Sequence, residues 1–311
     1  MGHFWRVCLL AVAVPLLVGP GSFCLASEKV QAQPEPESHT KTYFSKSRQE
    51  FAVHYRYGSE AGPTLLIVAG IHGDEAGGYL AAERYTHINP VKGNLIVVPR
   101  LNRAAINARR RHGLGGDMNR LFNLPASSRN PDIRVVNLVK QLIRQSDYVL
   151  NLHQGYDFYN PRWISKTRNP TKWGQCNVID TATYHLPSGR KLELGQYATQ
   201  VVHRANRSIE NGDYHFEVNN TNTAVKWTRH REQRGSLTYY SLYNQQKIAV
   251  GLEVTKNCSL AEAVSYLTIA INAAIEEAGI QVDSLPSESV QAMAHLAEAK
   301  VKPISRAKRK G

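Results

Sequence analysis

Acidic residues, cysteine and long apolar runs are all in short supply in this chain of 311 residues. The apolar stretch from Val7 to Val18 covers about a dozen residues, well below the ~20 that a membrane-spanning helix needs, so no stable span is expected. No internal repeat is visible, which sets aside solenoids and propellers. Of four cysteines, Cys8 and Cys24 fall within the first 26 residues and leave Cys176 and Cys258 as a pair, which alone does not establish a bridge. Asp and Glu number 25 against 38 Lys and Arg, a formal net charge of +13 with a pI near 9.6.

The amino end explains part of this. His3 and Arg6 precede the apolar run, and Cys24-Leu25-Ala26 stands before Ser27, the pattern of a secretory signal over residues 1–26 with a small-residue cleavage site. Phe23 ahead of Cys24 argues against a lipoprotein anchor; an uncleaved anchor is the alternative. Export, in a bacterium to the periplasm, puts Cys176 and Cys258 where disulfides are permitted. It also redirects the meaning of the positive charge, from nucleic acid, which is not expected as a partner, to an anionic wall polymer or membrane surface.

Residues 27–42 mix Gln, Pro, Glu and Ser and read as a flexible linker, so the folded unit is expected to start at Tyr43. It should run to residue 282. Beyond the Ser- and Pro-containing break from Ser284 to Ser289, a basic tail with Lys300, Lys302, Arg306, Lys308, Arg309 and Lys310 is expected over 283–311. Between these ends, short β-branched runs alternate with helical patterns. Thr64–Ala69, Asn94–Val98, Tyr148–Leu152 and Ile248–Val254 read as strands, Glu75–Tyr85 and Asp132–Gln145 as helices. Ser259 and Glu262 form a capping-box signature that opens a helix to Ala278. This rhythm predicts an α/β domain with a mixed, mostly parallel sheet and helices on both faces.

In such sheets ligands bind beyond the carboxyl ends of the strands, and the polar residues collect there. His72 and Glu75 follow one strand, three residues apart at a strand-to-helix turn. Taken alone that spacing is common, and a surface histidine beside a helix-start acid would account for it. His153, at the end of the apolar run Leu150-Asn151-Leu152, changes the balance, because a catalytic divalent site wants three protein ligands and an open position. Glu253 interrupts the apolar run Val250–Val254, where a carboxylate is costly unless it serves a cation or a reaction. Two imidazoles and a carboxylate accept several divalent ions.

Between the ligand segments lies Gly116-Asp117-Met118-Asn119-Arg120-Leu121-Phe122, preceded by Arg109-Arg110-Arg111. This order resembles the zinc carboxypeptidase A superfamily, which also holds the succinylglutamate desuccinylases and aspartoacylases. The resemblance covers Thr64 to Ala278 and implies that fold, with one Zn2+ held by His72, Glu75 and His153 and Asp117 orienting His72. It further implies that Asn119 and Arg120 bind the substrate's terminal carboxylate, that Arg111 (or a neighbour in its triplet) polarises the scissile carbonyl, and that Glu253 is the general base. An assisting tyrosine is common in the superfamily; Tyr239, Tyr240 and Tyr243 are candidates.

Within the superfamily, Gly70 to Gly78, Gly116 to Phe122 and Lys172 to Cys176 look most like the cell-shape DL-carboxypeptidases. Those cut the peptidoglycan stem peptide, converting the muramyl tripeptide to the dipeptide. In characterised shape enzymes a glutamine stands at the first ligand position, where this chain has His72. An exported deacylase of N-acyl amino acids is one rival, favoured by a closed cavity over an open groove; a non-catalytic wall-binding protein is the other. Tyr156, Phe158, Trp163 and Trp173 form an aromatic-rich segment that frames the pocket or packs as a lid.

Overall fold

Aliphatic residues alternating at period two dictate the centre of the molecule. The computed structural model describes residues 37–290; the expected signal segment, most of the linker and the basic residues from Lys300 onward lie outside them. The main sheet contains β1 (His39–Tyr43), β2 (Phe51–Tyr57), β3 (Glu60–Val68), β4 (Pro90–Val98), β5 (Tyr148–Gly155), β6 (Cys176–Ile179), β7 (Glu217–Asn220), β8 (Ile248–Thr255) and β9 (Gln281–Val282). Their order across the sheet is β1-β2-β4-β3-β5-β8-β6-β7, with β9 joined to β4. The central block β4-β3-β5-β8 is parallel, while β1, β2 and β4 pair antiparallel in turn and β6 runs against β8. The sheet is therefore mixed, as the sequence predicts.

Among the described residues, the helices are α1 (Ala76–Glu83), α2 (Arg103–Ala108), α3 (Ile133–Arg144), α4 (Leu194–Arg207), α5 (Leu237–Tyr243) and α6 (Leu260–Glu277). Leu65, Ile67, Leu150, Leu152, Val250 and Leu252 pack with residues of α1, α4 and α6. The intervening Leu66, Val68, Val149 and Ala249 pack with α3 and Leu237 of α5. Period-two alternation thus splits the core into two layers. By the same parity Asn151 and His153 of β5, and Gly251 and Glu253 of β8, belong to the α3/α5 face. Among the described residues, no helix is long and apolar enough to cross a membrane.

Several boundaries differ from the sequence expectation, with β3 and β4 each beginning four residues early, at Glu60 and Pro90. β1 begins at His39, inside the expected linker, because residues 39–43 pair antiparallel with β2. Helix α1 starts at Ala76 rather than Glu75, whose carboxylate makes no cap bond to the helix and turns to two imidazoles instead. The expected tail is docked as far as Glu288, where Asn272 Nδ2 donates to Pro286 O at 3.1 Å, Arg84 Nη2 to Ser287 O at 2.9 Å and Ser265 Oγ to Glu288 O. The capping box of α6 is as predicted, with Glu262 N donating to Ser259 Oγ at 3.2 Å and Ser259 N to Glu262 Oε2 at 2.8 Å.

One close approach fixes the turn after β3. Gly73 N donates to Arg110 O at 3.1 Å, and a Cβ on Gly73 would sit 2.0 Å from the carbonyl carbon of Ala105. Gly73→Ala should therefore force α2 off this turn and lower stability by on the order of 1–3 kcal/mol, read as a shifted urea midpoint. An unchanged midpoint would show that the turn is free to move.

Candidate active site

Parallel pairing of β5 with β8 sets His153 opposite Glu253 and Asn151 opposite Gly251. The turn after β3 delivers His72, and Glu75 stands at the start of α1 beside them. Glu75, His72 and His153 are all nearly inaccessible. Glu75 Oε1 lies 2.8 Å from His72 Nδ1, and Oε2 lies 2.9 Å from His153 Nδ1 and accepts Gln154 N–H at 3.2 Å. One ligand atom from each of the three residues falls within 4.8 Å of the other two. Two imidazole nitrogens and a carboxylate oxygen that converge this closely, each using the others as partners, fit a divalent ion of the zinc type.

Asp117 stands against the far side of the His72 ring. Its Oδ1 lies 3.0 Å from His72 Nε2 and accepts Asn119 N–H at 3.0 Å, which pins the far side of the imidazole and leaves Nδ1 to the ligand cluster. The three arginines are placed differently. Arg109 caps α2 in the left-handed region at φ 48°, Arg110 gives its carbonyl to Gly73, and Arg111 enters the site. Arg111 donates from Nε and Nη2 to Asp117 Oδ2 at 3.2 and 3.0 Å and from Nη1 to Glu75 Oε1 at 3.4 Å. Arg120 by contrast makes no ion pair among the described residues, and its Nη1 donates to Asn119 O at 3.0 Å.

Asn119 is buried. Its Oδ1 accepts Leu237 N–H at 3.0 Å and Asn151 Nδ2–H at 3.4 Å, and its Nδ2 lies 3.4 Å from His153 Nε2. It braces the site from within while also lining it. His72, Glu75, Arg111, Asn119, Arg120, Asn151 and His153 border one cleft of about 420 Å3, together with Glu253, Gly251, Val178, Thr238, Tyr156, Lys172, Trp173 and Lys256, whereas Asp117 is not part of its lining. Sequence reasoning missed Asn151 and Gly251, although each stands two residues before a predicted site residue and so shares its face. None of Tyr239, Tyr240 and Tyr243 lines the cleft; Tyr239 and Tyr243 pack on each other at 4.3 Å. Cys176 and Cys258 are both free, their thiols donating to Trp173 O at 3.1 Å and Thr255 O at 3.2 Å.

Electrostatics follow from burial and neighbours. Burial would raise Glu75, but the two imidazoles, His153 foremost, hold it well below the usual carboxylate range. Asp117 likewise is held low against its burial by His72 and then Arg111. Burial would lower His72, yet hydrogen bonds to Asp117 and Glu75 carry it up to about 9. Burial raises Glu253 to about 7, with His153 opposing and the Glu75 charge reinforcing the shift.

A stability prediction for the metal-free chain comes from these directions. Groups raised on folding lose their contribution as pH climbs, Glu253 through about 7 and His72 through about 9. The contributions of Glu75 and Asp117, both held low, are complete above the ordinary carboxylate range and add no slope there. Stability of the chelated protein should therefore fall between about pH 6 and pH 9, whereas saturating Zn2+, which competes with protons for the same nitrogens, should weaken or reverse that fall. Urea midpoints at both pH values with and without metal decide it. Parallel trends would mean that the ion binds elsewhere.

The family model described as "carboxypeptidase controlling helical cell shape catalytic" matches residues 47–296. The apo cell shape determinant protein Csd4 from Helicobacter pylori superposes with a TM-score of 0.72 at 29% identity, covering 80% of this chain and 59% of that one. Its mDAP-bound form, described as a D,L-carboxypeptidase, gives 0.69 at 30% identity, with 78% and 58% covered. The N-alpha-acetyl-L-2,4-diaminobutyric acid deacetylase of Halomonas elongata is 36% identical over 104 residues, 30% of this chain and 29% of that protein. A succinylglutamate desuccinylase/aspartoacylase from Rhodobacter sphaeroides shares the fold at a TM-score of 0.54 and 16% identity, with 83% and 70% covered. The chain thus spans about three fifths of the length of the cell-shape protein, at 59%.

Proposed function

The chain belongs to the family of carboxypeptidases controlling helical cell shape, and from that premise we propose that it is a zinc-dependent DL-carboxypeptidase removing the C-terminal residue of peptidoglycan stem peptides. The observation that carries this reading is the single cleft in which the His72-Glu75-His153 cluster, Glu253 and the unpaired Arg120 come together. Zn2+ at that cluster would supply Lewis acidity to a water and to the scissile carbonyl.

The remaining chemistry belongs to the chain. Arg120, whose guanidinium among the described residues bonds only a backbone carbonyl, is free to take the substrate's terminal carboxylate in its planar fork. Asn119, whose carboxamide oxygen is already committed, holds Arg120 and β5 in place and meets the substrate from the cleft wall. Arg111 is balanced by Asp117 and Glu75 and extends toward the carbonyl oxygen where negative charge develops. The Glu253 carboxylate takes the proton of the attacking water as the C–O bond forms and returns it to the amide nitrogen as the C–N bond breaks. A carboxyl raised by burial to about 7 is matched to both transfers near neutral pH.

Three further points support the substrate class. A relative with the same fold and 30% identity is bound to mDAP. Tyr156, which borders the cleft, is exposed at 69%, so a peptide tethered to a polymer could reach the cleft along that side. Peptidoglycan lies outside the cytoplasmic membrane, which agrees with the expected export signal. The stretch shared with a deacetylase keeps small N-acyl amino acids as the rival substrates.

Mass spectrometry of muramyl tripeptides incubated with the zinc-loaded protein should show loss of the terminal diaminopimelate. Glu253→Gln should lower kcat by roughly 10²–10⁴, and Arg120→Ala should act mainly on KM, raising it about tenfold or more. Cleavage of acylated amino acids with none of muropeptides would transfer the assignment to a deacylase.

A further inference from the structure

The segment Lys172-Trp173-Gly174-Gln175-Cys176 gives Lys172 and Trp173 to the cleft lining, yet Gln175 has no part in the proposed reaction. Gln175 is nonetheless fully buried, and its backbone stands in the left-handed region at φ 54°, a conformation that favours glycine over any side chain. A glycine at this position would make the turn without strain. What residue 175 adds is its carboxamide.

Both ends of that carboxamide are spent on the main chain. Its Oε1 accepts Thr255 N–H at 3.0 Å, and its Nε2 donates to Tyr214 O, while the Gln175 carbonyl accepts Glu217 N–H at 3.0 Å. One buried residue thus joins the ends of β8, β6 and β7. The bond to Thr255 stands where a strand would otherwise be. β6 pairs with β8 as far as Cys176 opposite Glu253; beyond that point the Gln175 side chain takes the N–H that the ended ladder leaves open. On the other side of β8, Lys256 N donates to Gly155 O at 2.7 Å. The packing around this clamp is close. A Cβ on Gly174 would lie 1.9 Å from Asp157 O and 2.8 Å from Thr255 Cα, and one on Gly155 would lie 2.7 Å from the Trp173 carbonyl carbon.

Glu253 depends on such a clamp because no side chain aims it. Glu75 and Asp117 are each held by imidazoles or arginine, whereas the Glu253 carboxylate makes no hydrogen bond among the described residues. Its place in the cleft is set by the backbone alone, between His153 of β5 and Cys176 of β6 and two residues before the clamped N–H. Released at Thr255, the end of β8 is free to drift, and a displacement of about 1 Å at a reacting group costs up to about 10²-fold in rate.

We propose that Gln175 is a positioning residue, whose carboxamide fixes the carboxyl end of β8 and, through it, the Glu253 carboxylate in the cleft. The inference rests on the reading of Glu253 as general base. The full zinc-loaded chain is assayed on whichever substrate class the wild type cleaves, muramyl tripeptide or acylated amino acid, so that a wrong peptidase reading changes the substrate and not the test. Gln175→Met keeps the side-chain length and removes both bonds; kcat should fall about ten- to fiftyfold with KM within about twofold of wild type. Gln175→Glu, kept neutral by burial, accepts from Thr255 N–H and donates to Tyr214 O, and should restore kcat to within about threefold. If the urea midpoint shows Gln175→Met to be unfolded, Gln175→Asn, its amide one methylene short of Thr255, takes its place. In the Glu253→Gln background the Gln175→Met change should cost less than about twofold more, because the group it positions is already gone. Amide exchange at Thr255 in the metal-free chain should quicken about tenfold or more in Gln175→Met while β3 and β5 keep their rates. Equal losses in both backgrounds would reveal a merely structural role and overturn the proposal, as would an unchanged kcat or unchanged exchange at Thr255. A wild type that hydrolyses neither substrate class sinks the proposal together with the base.

Discussion

Everything at the site depends on the register of three parallel strands. Because side chains alternate faces along a strand, the pairing of β3, β5 and β8 decides in one stroke which residues meet. His153 lies opposite Glu253, Asn151 opposite Gly251, and the chain leaving β3 delivers His72 to the same end. A slip of one residue would turn Glu253 into the aliphatic layer under α4 and α6 and bring Leu252 to the cleft. The aliphatic residues between the site positions prevent this, since Leu150, Leu152, Val250 and Leu252 are all buried against those helices. Core packing on one face therefore holds the chemistry of the other.

On that frame sits a compact charge network. Glu75 is at its centre, touching both imidazoles and Arg111, while Asp117 joins His72 to Arg111 from the far side. Buried charges of this kind are tolerated only as a set, because removing one leaves its partners desolvated and unmatched. The same logic separates the two arginines. Arg111 is already neutralised by two carboxylates and is a fixed part of the wall, whereas among the described residues the Arg120 guanidinium meets only a carbonyl. Glu253 lies outside the hydrogen-bonded set and feels chiefly its own burial, which would suit the base proposed for it.

Much of this was legible in the sequence because it is carried by local pattern. The strands bearing His153 and Glu253 are long apolar runs, and a polar residue inside such a run advertises itself. The Ser259–Glu262 capping box announced α6 by chemistry confined to one helical turn. Other features were hidden for equally physical reasons. Short β6 and β7 owe their existence to pairing with distant strands rather than to their own residues. Nothing in Arg109-Arg110-Arg111 marks the left-handed cap at Arg109 that turns only Arg111 inward. Asn119 looked like a ligand for substrate alone, yet its carboxamide is engaged by Leu237 N–H, 118 positions away. The cysteine pair that export would permit to bridge consists of two free thiols, each satisfied by a carbonyl three residues before it.

By itself the sequence determined the α/β class, and residue type and order along the chain brought forward His72, Glu75, His153 and Glu253 as candidates, with Asn119 and Arg120 added by the resemblance to the zinc carboxypeptidases. Only the tertiary structure decided which arginine is bound into the wall and which is free, that Asn119 is a brace, and that the candidate tyrosines stand away from the cleft lining. These are relations between side chains remote in sequence, fixed by how strands pair and loops close over them, and no local periodicity encodes them.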